Sequence, residues 1–181
     1  MIIAKSVFLT IYNESLDAEF QKLFDEIESS MDKAVSISKK LKEDGDNESV
    51  IAHRDDAIAN ELANATKLID GFYFKLRQNR NYLANVSAQD FIYKFEECLA
   101  HVLKDVGKIK NNTKADSPVI RNAFAEIGTA SQRAIRELFN AVALLDADTI
   151  ANLKNLNGSR FFNSFHTLPE FRDNIRGGKY E

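Results

Sequence analysis

Tryptophan is absent from this chain, and proline occurs only at Pro118 and Pro169. With so few helix breakers, long stretches stay open to continuous helix. Cysteine occurs once, at Cys98, which excludes an internal disulfide and suits a reducing compartment. No apolar run reaches the roughly 20 residues that a membrane-spanning helix needs. The apolar opening, Met1 to Tyr12, also lacks the basic start and small-residue cleavage site of a secretory signal. Neither sign of charge dominates. Lysine and arginine number 24 against 27 acidic residues, so the net charge of -3 supplies no global attraction to nucleic acid or an anionic membrane. There is no phosphate-binding loop, no dinucleotide loop and no Gly-x-Ser-x-Gly nucleophile elbow.

What remains is a strong helical pattern. Apolar residues recur every three or four positions through four long segments. The first is expected from Ser15 to Lys42, on a stripe that includes Leu16, Phe20, Phe24, Ile27 and Met31. The second is expected from Ser49 to Ala84, with Gly71 tolerated inside it. The third opens at Ser87, whose partner three residues on is Asp90, and closes at Asn111-Asn112-Thr113. The fourth opens with Ser117 as cap and Pro118 as first helical residue. A short helix capped by Asp146 or Asp148 should follow.

The sequence therefore predicts one all-α domain over 1–181: an elongated four-helix, mostly antiparallel bundle. Residues 1–14 are expected to form an apolar arm or short helix, 15–145 the four long helices, and 146–181 short accessory helices and a tail. Ile3, Val7, Leu9 and Ile11 give the opening a weak strand alternation, so strand and helix both stay open there.

Chemistry is sparse. Two-iron bundles need inward Glu-x-x-His pairs. None of His53, His101 and His166 has a carboxylate three residues before it, and Cys-x-x-Cys-His is absent. No metal site and no cofactor are expected. Cys98 lies near its helix's apolar stripe and is expected to act as a small core residue.

The segment Leu99-Ala100-His101-Val102-Leu103-Lys104 resembles the exposed His-x-x-Lys of histidine-phosphotransfer domains, which are four-helix bundles. That resemblance implies phosphoryl transfer through His101, eased by Lys104. The family has glycine after the lysine, whereas here Asp105 follows and would repel a phosphate. Arg160 and His166 form an Arg-x5-His pair similar to the Arg-x4-6-His motif of HEPN-type helical ribonucleases, which implies RNA cleavage. Here the spacer Phe-Phe-Asn-Ser-Phe lacks the usual polar residue beside the arginine. Basic residues at Lys75, Arg77, Arg80, Lys104, Lys108, Lys110 and Lys114, with Tyr82 and Tyr93 nearby in sequence, carry a nucleic-acid alternative.

The more telling residues are apolar ones that fall off the stripes. Phe74, Tyr93 and Leu144 point away from the expected core, and the C-terminal part is rich in aromatics at Phe161, Phe162, Phe165 and Phe171. Several such residues on different helices imply a second covered surface. The leading expectation is a non-enzymatic, cytoplasmic protein acting through protein–protein contact or self-association. Phe74, Tyr93, Phe161, Phe162 and Phe165 are its contact residues. Phosphorelay and nucleic-acid binding or cleavage are the alternatives.

Overall fold

In a computed structural model of the chain, which describes residues 2–44, 48–113 and 117–151, four long helices pack together. They are α1 (Ile2–Asp44), α2 (Glu48–Gln78), α3 (Ala88–Asn112) and α4 (Pro118–Ala143), followed by the short α5 (Ala147–Ala151). No strand occurs among the described residues. The expected all-α bundle is what forms.

Two boundaries differ from the sequence expectation. The opening residues are not a separate arm, because α1 begins at Ile2 and runs through Ser15 without a break. No glycine or proline interrupts residues 1–44, and Ile3, Val7 and Ile11 are spaced by four as well as by two. Helical continuation therefore accounts for the same apolar residues that suggested a strand. At about 1.5 Å per residue, α1 is roughly 65 Å long.

The second difference lies at the end of α2, which stops at Gln78 rather than at Ala84. Asparagine at 79 and 81 competes for backbone hydrogen bonds. Asn79 Nδ2 donates to the Lys75 carbonyl at 2.8 Å, and the chain turns into a single 3-10 turn, Tyr82–Ala84. That turn swings Tyr82 into the core, where its hydroxyl donates to Asp17. Tyr82 is thus no part of a nucleic-acid surface. Gly71 does sit inside α2 without ending it. A β-carbon there would meet Leu23 Cδ2 at an ordinary 3.8 Å.

Three other signals read from the sequence hold, whereas Ser117 occupies the cap position of α4 without a side-chain cap bond, its hydroxyl donating to Asp55 instead. Ser87 Oγ accepts from the Asp90 amide at 3.3 Å, Pro118 is the first residue of α4, and Asp146 Oδ1 caps α5 by accepting from the Thr149 amide at 2.7 Å. No described helix is long and apolar enough to cross a membrane.

Side-chain contacts fix the arrangement. Glu19 meets Lys75 and Ser30 meets Asn64, so α1 and α2 are antiparallel. Phe20 meets Phe91, Asp32 meets His101 and Ser38 meets Asn112, so α1 and α3 run parallel. Asp55 meets Ser117 and Asp70 meets Arg133, so α2 and α4 are parallel as well. Consecutive helices alternate in direction, as short connections require. Yet two of the three extensive seams, α1–α3 and α2–α4, join parallel helices, with α1–α2 as the third. Contact between α3 and α4 is sparse.

The core is continuous along the bundle. Its lower end is aromatic: Phe20, Phe24, Phe72, Tyr82, Phe91 and Phe95 form one cluster, with Phe72 and Phe95 stacked at 4.9 Å between centroids. Cys98 lies directly beyond it, buried, with Sγ 3.9 Å from the Phe24 carbonyl. Burial and the nearby carboxylates Glu28 and Asp25 push its thiol far up, so it is a core residue and not a nucleophile.

Candidate functional site

Two groupings stand out on the folded chain, and they lie on different helix pairs. The first is an aromatic–arginine face on α2 and α4. Phe72 must point inward to meet Phe91 and Phe95. Two residues on, at about 100° per residue, Phe74 is carried outward and remains 52% exposed. Tyr73, half-buried between them, lies edge-on to Phe74 with 5.0 Å between ring centroids. Two arginines frame the Tyr73 ring. Arg77, one turn along α2, donates to the Tyr73 hydroxyl at 2.8 Å, with its guanidinium carbon 6.0 Å from the ring centre. Arg133 of α4 sits 5.9 Å from the same ring and donates to Asp70 at 2.9 Å. The Asp70 carboxylate and the Tyr73 ring therefore hold a cation ready beside an exposed phenyl group.

Tyr93 is also exposed, at 55%, as the sequence indicated. It does not join Phe74. Each lies two residues from ring-cluster members that meet across the bundle, Phe72 on α2 and Phe91 and Phe95 on α3, so the two are turned to opposite sides. Leu144 is exposed at the end of α4. Phe161, Phe162 and Phe165 lie outside the described residues, as do Arg160 and His166.

The second grouping joins α1 to α3. The phosphotransfer resemblance implies an exposed His101, but the residue is half-buried against α1. Its Nε2 lies 2.7 Å from Asp32 Oδ1 and 3.1 Å from Asp105 Oδ2. Asp105 is the surprise, because its side chain is only 1% exposed. Lys108 Nζ approaches its other oxygen at 3.8 Å. Cys98, Val102, Asp105 and Ile109 are spaced four, three and four, so Asp105 occupies a core-facing position of α3. An aspartate on that spacing was the signal available in the sequence.

Electrostatics follow from this packing. Burial, then the hydrogen bond shared with Asp32, raises the Asp105 carboxyl from its usual range to about 6. The same bond, opposed by partial burial and helped by His101, lowers Asp32. Burial alone would pull the His101 imidazole down. The Asp32 hydrogen bond and the charges of Asp105, Asp32 and Glu28 more than reverse that and carry it above its ordinary value. Burial also raises Glu28.

For the phosphotransfer resemblance, this geometry is unfavourable. The Nε2 that would accept a phosphoryl group faces two carboxylates, while Lys104 stands exposed on the same helix. For nucleic acid, several of the described basic residues serve partners within the chain. Lys75 bonds Glu19 at 2.7 Å, Arg80 approaches the buried Glu137 at 3.7 Å, and Lys110 lies over the Phe124 ring at 5.4 Å. They sit on three sides of the bundle rather than along one strip. No family model, no curated protein and no solved structure matches this chain.

Proposed function

We propose that this is a non-enzymatic helical-bundle protein that works by gripping another protein chain, with Tyr73, Phe74, Arg77 and Arg133 as the contact face. The observation that carries the proposal is Phe74, a large apolar ring half out in water beside a tyrosine framed by two arginines. Tyrosine, phenylalanine and arginine are the types enriched where proteins meet. The face is also prepaid in order. The Arg133–Asp70 ion pair and the Arg77–Tyr73 hydrogen bond fix side chains that would otherwise lose freedom on binding. A buried, unreactive thiol and the lack of a membrane-spanning helix among the described residues support a reducing, cytoplasmic setting.

The test is a photo-reactive phenylalanine analogue placed at position 74, with position 60 on the same helix as control. Irradiation in the source cells should yield discrete cross-linked products from position 74 and none from Asn60. A product of twice the chain mass identifies a second copy as the partner, and a different mass identifies another protein. Equal, diffuse labelling from both positions would dismiss the proposal. Phe74→Ser should leave stability within about 0.5 kcal/mol, because the ring is exposed, so any lost contact reports on binding.

A further inference from the structure

We propose that Asp32, His101 and Asp105 form a binding site for one divalent transition-metal ion with a preference for nitrogen and oxygen ligands, of the kind Zn2+ represents. Each residue offers one donor atom, and the three donors lie within 4.8 Å of one another. Two of the separations are already 2.7 Å and 3.1 Å, both measured from His101 Nε2. Neighbouring ligands on one ion with bonds of about 2.1 Å stand roughly 3.0–3.5 Å apart. The two distances from His101 therefore need to widen by under about 1 Å, while the Asp32 and Asp105 oxygens are held within 4.8 Å of each other.

The backbone supplies the frame. His101 and Asp105 are one turn apart on α3, which stacks them on one face. Asp32 comes from α1, whose parallel packing on α3 brings it level with them. None of the three sits on a loop.

A second observation points to a ligand. Asp105 Oδ2 is enclosed, and the nitrogen it faces, His101 Nε2 at 3.1 Å, already bonds Asp32 Oδ1, so Oδ2 accepts no hydrogen bond of its own. A buried carboxylate oxygen without a donor is costly in a folded chain. A cation between Asp105, His101 and Asp32 satisfies it. Access from water exists as well. Asp32 is the exposed member of the set, and a shallow groove of about 640 Å3 opens beside it, where the carboxylates of Asp25, Glu28, Asp32 and Glu61 outnumber the ammonium groups of Lys33 and Lys40. These acids raise the local concentration of cations. Lys108, near Asp105, opposes them and lies half-exposed, free to turn outward.

One imidazole with two carboxylates suits zinc, manganese or iron better than calcium or magnesium, which take oxygen ligands. Three protein ligands also leave coordination positions for water. The proposal is independent of the contact face on α2 and α4 and survives that face's failure.

The experiment titrates chelator-treated, full-length protein with Zn2+ by calorimetry, and with Co2+ by visible absorption as a reporter of coordination. One ion per chain is expected, with a cobalt ligand-field band, and millimolar Mg2+ should not displace it. His101→Gln and Asp32→Asn should each weaken binding at least tenfold, while His53→Gln leaves it unchanged. Asp32 is exposed, so its variant folds even if changes at the buried Asp105 do not. Absence of saturable binding, or equal affinity in wild type and both ligand variants, overturns the proposal.

Discussion

The two ends of the bundle are held by different forces. At the lower end, rings from α1, α2, α3 and the 3-10 turn interlock, and the fully enclosed Phe72 touches Phe20, Phe24, Phe91 and Phe95. At the upper end, where the core is aliphatic through Val35, Ile58, Ile109 and Ile120, polar side chains add the directional joints. Asn112 donates to the buried Ser38 at 3.2 Å, Ser117 donates to Asp55 at 2.9 Å, and Asp55 also pairs with Arg54 at 3.2 Å. Between them sits the Asp32–His101–Asp105 cluster. Aromatic burial is strong and tolerant of orientation, whereas hydrogen bonds give little net stability but fix register. The lower end thus supplies cohesion and the upper end alignment.

Three measurements sharpen this contrast. The largest effect belongs to the ring cluster. Phe72→Ala should lower unfolding free energy by about 3–5 kcal/mol, read from the urea midpoint. A loss under about 1 kcal/mol would mean that the cluster collapses onto the gap and is not the main source of cohesion.

The next concerns pH, with chelator present. Asp105 holds its proton more tightly when folded, up to about 6, so its contribution is complete at pH below the unfolded value of 3.8 and fades as pH rises toward 6. His101 is also raised when folded, so its contribution is complete below 6.5 and fades as pH climbs through the higher folded value. Both act in one direction, and Asp32, which is lowered, loses its contribution only below 3.8. The melting temperature should therefore fall between about pH 4 and pH 8. Asp105→Asn should flatten the acidic part of that slope. A melting temperature that rises across the interval contradicts the buried-proton account of the cluster.

The smallest effect is Ser38→Ala, at about 1–2 kcal/mol for the two hydrogen bonds of its buried hydroxyl, donated to the Val35 carbonyl and accepted from Asn112. A cost equal to that of Phe72→Ala would erase the distinction between the two ends.

Much of this fold was legible in the sequence because helix formation is decided locally. Pro118 and the Ser87–Asp90 pair mark their helix starts with nearest-neighbour chemistry, and Asp146 does the same for α5. The opening was ambiguous because Ile3, Val7 and Ile11 satisfy both a spacing of two and a spacing of four. The end of α2 was missed because Leu76 and Leu83, seven apart, keep the stripe running through two asparagines that turn the chain. Phe74 and Tyr93 were visible as off-stripe residues, but that they face opposite ways was not. The His101 cluster was out of reach for the same reason. Which helix lies beside which is a property of tertiary packing, and nothing in residues 28–32 announces that α3 will run parallel to α1. Even so, Asp105 on a core spacing was a visible oddity.

The thin contact between α3 and α4 among the described residues has a mechanical meaning. Three tight seams and one slack one make the bundle a book, with α1 and α2 as the spine and α3 and α4 as the free edges of its covers. Opening such a book breaks no helix. It parts Phe72 of α2 from Phe91 and Phe95 of α3, so these ring stacks, which tie one cover back to the spine, resist the opening.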